Sequence, residues 1–129
     1  MARVLILEPD KLLAEIYRRA LKHAGYDALS VTSGQGAVDS ADKVTPDLII
    51  LELQLPAHNG LEFLYEFRSY TDWQPVPVIV NTNIPQSNIG STEKGLYNEL
   101  GIRAWHYKPE TSLSQLIRSV TEELQNSAV

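Results

Sequence analysis

Apolar residues follow two rhythms along these 129 residues. Val4–Leu7, Leu48–Leu51 and Val76–Val80 are short, largely unbroken hydrophobic runs, the pattern of parallel strands covered on both faces. Ala28–Val31 and Ile102–Tyr107 are weaker strand candidates, mixed with polar residues. Between the runs the spacing becomes helical. Leu113, Leu116, Ile117, Val120 and Leu124 repeat at i, i+3, i+4, i+7 and i+11, which predicts a last helix over about 112–125. Leu13, Ile16, Tyr17 and Ala20 form a similar stripe, expected to stop at Gly25. Leu61, Leu64 and Phe67 predict a helix after Gly60, and the stretches 34–44 and 86–100 are weaker. Gly90 and Gly95 make the last of these a poor intrinsic helix. Strand and helix thus alternate five times. The expectation is an α/β chain, one domain over 1–129, with a doubly wound five-stranded parallel sheet and right-handed crossovers.

Composition narrows the function. The net charge of −5 and the scattered basic residues argue against nucleic acid, whose binders concentrate positive charge. With no cysteine, disulfides, thiolate catalysis and cysteine zinc sites are excluded. Val4–Leu7 is too short for a signal peptide or membrane span, so the expected setting is cytoplasmic, without membrane contact. "SGQGAV" lacks the third glycine of a dinucleotide fingerprint, and neither a Walker loop nor a His-Glu-x-x-His pair is present. His23, His58 and His106 lie on a helix end, in a loop and in a strand, which is no metal constellation.

In open α/β sheets, ligands bind beyond the carboxyl ends of the strands. The residues expected to leave those ends are Glu8-Pro9-Asp10, Glu52, Asn81-Thr82-Asn83 and Lys108-Pro109. Carboxylates, a hydroxyl and a lysine would then converge on one patch. Asp10 has two readings: a displaced cation ligand, or the start of the first helix, where its charge favours the N-terminus.

The layout resembles the receiver domain of bacterial response regulators, a flavodoxin-like (CheY-like) fold, across essentially the whole chain. "VLILEPD" resembles that family's first motif, with Glu8 and Pro9 at the acidic-pair positions. "PDLIILELQLPAHNG" resembles the second, with Glu52 where the family's aspartate accepts a phosphoryl group. "PVIVNT" puts Thr82 at the hydroxyl position. "GIRAWHYKP" puts Lys108 at the lysine position and Trp105 where the family carries a switching Tyr or Phe.

The departures carry the functional expectation. Family members transfer phosphoryl groups with a divalent ion, and Mg²⁺ demands near-octahedral oxygen coordination. Pro9 offers no side-chain oxygen. Glu8 and Glu52 are each a methylene longer than aspartate, about 1–1.5 Å of extra reach, where such misplacement costs on the order of a hundredfold. The resemblance therefore implies a degenerate pseudo-receiver: no cofactor, Mg²⁺ binding lost or weak, no enzymatic activity, and signalling in a phosphorelay by protein–protein interaction. Glu52 is then either a phosphorylation mimic reaching Thr82 and Lys108, or a structural ion pair with Lys108. The alternative is a working phosphoacceptor at Glu52 with the ion held by Glu8 and Asp10.

Thr82 is expected to hydrogen-bond Glu52 rather than cap its turn. Asn83 would narrow the entrance. Trp105 is expected to be a fixed, half-exposed contact residue, with Tyr97 and Tyr107 extending the patch or packing in the core. Only "NSAV" follows the last helix, so no output domain is expected. The expected partner is another signalling protein or a second copy, held through the helix–strand–helix face of residues 86–126.

Overall fold

The computed structural model describes residues 1–56, 59–88 and 99–127. Five strands, β1 (Arg3–Leu7), β2 (Asp27–Val31), β3 (Leu48–Leu51), β4 (Val78–Thr82) and β5 (Ile102–Tyr107), form one parallel sheet in the order β2-β1-β3-β4-β5. The described helices are α1 (Lys11–His23), α2 (Gly34–Lys43), α3 (Gly60–Ser69) and α4 (Leu113–Ser127). The doubly wound α/β architecture expected from the sequence is the one found. Of the stretch 86–100, a 3₁₀ turn at Gln86–Asn88 and the last two residues are described, Glu99 in helical conformation; the rest of the helix expected there, with Gly90, Gly95 and Tyr97, lies outside the described residues, as does His58.

Alternation along the strands builds two apolar layers. Leu5, Leu7, Ile49, Leu51, Val78 and Val80 face one way and bury Phe63, Leu64 and Phe67 of α3. Val4, Ile6, Leu48, Ile50 and Ile79 face the other way, against Leu21 of α1 and Leu116 and Val120 of α4. The two mixed runs prove to be the edges: β2 and β5 are partly exposed, while β3 and β4 are buried throughout.

Local chemistry sets the boundaries. Asp10, Ser33 and Asn59 each cap a helix through side-chain oxygens that accept from backbone amides. Gly25, at φ 99°, supplies the left-handed residue that ends α1. One expected boundary moves. The run beginning at Val76 enters the sheet only at Val78, because Pro77 has no N–H and the Val76 amide turns back to Trp73 O at 3.2 Å. At its other end β4 extends further than expected, so Asn81 and Thr82 lie within the strand rather than beyond it. The Arg68 guanidinium donates to Leu100 O, Trp73 O and Gln74 O, tying α3 to the segments that flank β4 and β5.

Gly60 starts α3 pressed against the end of β3, its amide donating to Leu53 O at 2.7 Å. A Cβ there would stand 2.8 Å from Leu53 Cα and 2.9 Å from Glu52 O, backbone atoms that cannot step aside. Gly34 offers the contrast, since a Cβ would meet only Phe63 side-chain carbon, at 3.4 Å. Gly60→Ala is therefore expected to destabilise by about 1–3 kcal/mol, and Gly34→Ala to be neutral or stabilising by about 0.5–1 kcal/mol. Urea unfolding of the two variants beside the parent checks both, and a harmless Gly60→Ala would refute the close approach.

Candidate functional site

The chain leaves β1 toward β2 on one side and later places β3 on the other side of β1, so the strand order switches at the β1/β3 carboxyl ends. Glu8 follows β1 and Glu52 follows β3. Both are buried, at 2% and 3% exposure, among residues that are otherwise almost all apolar. Lys108, the residue after β5, reaches back across the sheet to both. Its Nζ lies 2.8 Å from Glu52 Oε1, a hydrogen bond, and 2.6 Å from Glu8 Oε1, an ion contact off the hydrogen-bond direction.

The second oxygen of each carboxylate is occupied by its own turn. Glu8 Oε2 accepts from the Asp10 amide and Glu52 Oε2 from the Gln54 amide, both at 3.1 Å. All four carboxylate oxygens thus have a cationic or N–H partner. Burial pulls the Lys108 pKa down, but the hydrogen bonds and charges of Glu52 and Glu8 outweigh it and the net direction is up. The ammonium is the stable form in this pocket.

The remaining residues singled out from the sequence divide. Pro9 lies between Glu8 and Asp10 and contributes neither a side-chain oxygen nor an N–H. Asp10 takes the capping alternative: its Oδ1 accepts from Leu12 N at 3.0 Å and Leu13 N at 3.2 Å, on an exposed side chain at the start of α1. Thr82 is fully buried, but its Oγ1 accepts from the Ile84 amide at 3.3 Å. The expected bond to Glu52 is replaced by a turn cap, because the Ile84 amide is only two residues away along the chain. Trp105 is half-buried, and its Nε1 donates to Ile84 O at 3.0 Å. Thr82 and Trp105 therefore grip the same Ile84 peptide segment from two sides. Beside them, Pro85, Gln86, Ser87, Tyr107 and Glu110 line a shallow cleft with Trp105.

Two pairings were missed from the sequence. Glu8 shares Lys108 with Glu52, whereas only the Glu52 pairing was expected. Asn81 and His106 are registered partners on β4 and β5 and continue the polar row beyond Glu52, on the face that carries α1 and α4. Strand parity was the available signal: Ile79 and Ala104, two residues earlier, pack into the α1/α4 layer.

Among the described residues no group of three acidic or histidine side chains is placed to hold a metal ion. No described helix is long and apolar enough to cross a membrane.

Comparison with known proteins places this geometry. The response regulator receiver domain family matches residues 4–118. Over 79 residues the chain is 33% identical to the polar-differentiation response regulator DivK of Brucella ovis, covering 61% of this chain and 64% of DivK. Over 92 residues it is 27% identical to the "Probable transcriptional regulatory protein TcrX" of Mycobacterium tuberculosis, covering 71% of this chain and 39% of TcrX. The chain thus spans less than two thirds of either relative. A CheY-like receiver domain protein from Methanospirillum hungatei superposes with a TM-score of 0.85 over 99% of this chain and 97% of that one, at 17% identity, a likeness of fold. With the family pattern running from β1 into α4 on the expected five-stranded sheet, the chain belongs to the response regulator receiver domain family, the signalling modules of two-component systems.

Proposed function

We infer that this receiver domain signals through protein–protein contact, without capturing a phosphoryl group, as a pseudo-receiver in a cytoplasmic phosphorelay. One observation carries the reading: the Lys108 ammonium is shared by Glu8 and Glu52, so the pocket's cation is supplied by the chain itself.

The donor set does not fit a divalent ion. Mg²⁺ needs about six oxygens at about 2.0–2.1 Å. Pro9 provides none, Asp10 spends its carboxylate on the α1 cap, and both glutamates already hold the ammonium. A divalent ion entering beside Lys108 would meet a like charge in a poorly solvated pocket, where repulsion is strong. Glu52 as a stand-in for a phosphorylated side chain is half supported: it holds Lys108, but Thr82 is bound to Ile84 instead. A phosphoryl group would also bring about two charges and three acceptor oxygens, more than one carboxylate offers. Glu52 is better read as a fixed strut than as a full imitation of the phosphorylated state.

The proposed partner surface is the β5–α4 face with the residues after β4, and its occupant is another signalling protein or a second copy of the chain. Support comes from Trp105, which is half-buried while its N–H is pinned to Ile84 O, a fixed aromatic of the kind enriched in interface cores. Residues 89–98 of the expected 86–126 face lie outside the described residues.

Incubation with a small-molecule phosphodonor and Mg²⁺, read by intact mass, is expected to add nothing. A stoichiometric gain of one phosphoryl group that Glu52→Gln abolishes would instead establish the phosphoacceptor reading, with the ion held by Glu8 and Asp10. Mg²⁺ titration into the millimolar range, followed by the fluorescence of Trp105 and Trp73, is expected to show no saturation; Pro9→Asp with Glu52→Asp is expected to restore it.

Lys108→Met leaves two buried carboxylates without their cation and is expected to destabilise by about 3–5 kcal/mol. Adding Glu8→Leu and Glu52→Leu should recover most of that loss, since apolar replacement of a buried ion cluster is often neutral or better. Because the folded Lys108 pKa is raised above its ordinary 10.5, its stabilising share is complete below that pH and lost as pH climbs through the raised value. Urea unfolding from pH 8 to 11 should show this alkaline loss in the parent and not in the triple variant.

A further inference from the structure

His106 is an odd residue for its position. It lies on edge strand β5, facing α4, two residues beyond Ala104, which packs against that layer's apolar core. Its Nε2 is enclosed and has no hydrogen-bond partner among the described residues. Asn81, its registered neighbour on β4, is 3% exposed, and its Nδ2 is likewise enclosed and unpartnered. Two orphaned polar atoms in register on adjacent strands are unusual, since enclosed polar groups are nearly always paired.

The chemistry of the pair depends on the proton. With neutral imidazole protonated at Nδ1, Nε2 presents a lone pair, and the amide N–H of Asn81 is a donor on the adjoining strand position; the two are compatible. With a proton on Nε2 as well, enclosed donors stand at adjoining strand positions with no acceptor between them in this side-chain arrangement. Burial has the same consequence, holding the imidazole pKa below its ordinary 6.5.

On its other side His106 borders a cleft between β5 and α4 of about 260 Å³, room for an imidazole ring and several waters. Glu110 at its mouth and Glu122 on α4 are carboxylates able to receive an imidazolium, and Arg118 is the one cation in the lining. On this face of the sheet Glu8, Glu52 and Lys108 are already committed to one another. A protonated His106 therefore finds its uncommitted carboxylates in the cleft, while its registered neighbour on the sheet, Asn81, turns its amide nitrogen into the enclosed space.

We propose that His106 and Asn81 form a proton-operated latch for α4: neutral His106 seals the top of β5 under the helix, and protonation drives its ring outward toward Glu110 and Glu122, loosening the helix's grip on the edge strand. The sign follows from the depressed pKa. The sealed state is complete above about pH 6.5 and is lost as pH falls through the folded value.

The test uses the whole chain. NMR titration of the His106 ring is expected to give a midpoint below 6.5, and a midpoint at or above 6.5 would overturn the latch. Amide protection factors at Leu116, Ile117 and Val120 should fall by about tenfold or more between pH 7.5 and 5.5, with Leu64 of α3 changing less. His106→Val fills the same strand position without a titrating group and should erase that difference. An equal loss of α4 protection in His106→Val would show that the helix responds to something other than His106. Glu110→Gln with Glu122→Gln should move the His106 midpoint lower still; an unmoved midpoint would refute the outward route.

Discussion

A single ammonium shared by two buried carboxylates governs the carboxyl end of this sheet. Lys108 belongs to the edge strand, yet its partners lie beyond β1 and β3, so the contact passes over the end of β4 and draws three strand ends together. Burying such groups carries a desolvation penalty of several kcal/mol each, and attraction offsets it only if every oxygen and N–H is engaged. That condition is met in large part here: each glutamate gives one oxygen to Lys108, Glu52 by a hydrogen bond and Glu8 by charge alone, and the other to the amide two residues further on. The glutamates' extra methylene has a structural use in this setting, because it lets each carboxylate turn back onto its own loop while still meeting the lysine.

That arrangement also explains why Pro9 is tolerated between the two acidic residues. Glu8 needs the amide of residue 10, not of residue 9, so a residue without an N–H can stand between them at no loss of hydrogen bonding. Asp10 is then free to cap α1. Each acidic residue after β1 has a defined local task.

Much of this was readable from residues alone, for physical reasons that differ by element. β1, β3 and β4 announce themselves because strands buried on both faces are uniformly apolar, whereas β2 and β5 blur because an edge strand wets one side. The convergence of Glu8, Glu52 and Lys108 followed from the rule that strand ends meet at the switch point. Beyond the Glu52–Lys108 pair, who bonds whom did not. Thr82 and Ile84 pair because a local turn closes at little entropic cost, a competition that a motif cannot weigh. The partnership of Asn81 with His106 was missed because each, taken singly, looks like an ordinary polar residue near a strand end. Only the β4–β5 register, shifted by an irregularity between Val78 and Ile79, sets them side by side.

These contacts bear on how a partner would see the molecule. Strand β5 is held at its start through Arg68, whose guanidinium bonds the carbonyl of Leu100, and at its end through Lys108. In between, the Trp105 indole is fastened to the Ile84 carbonyl. A strand fixed at three points presents its side chains in one arrangement before any partner arrives, and binding to such a surface does not have to supply the entropy of ordering it. The exception is His106, the one β5 residue whose enclosed polar atom is unsecured. An otherwise rigid face with a single unsatisfied titratable group concentrates its conformational freedom at that group, so adjustment of the β5–α4 face is expected at His106 rather than across the sheet.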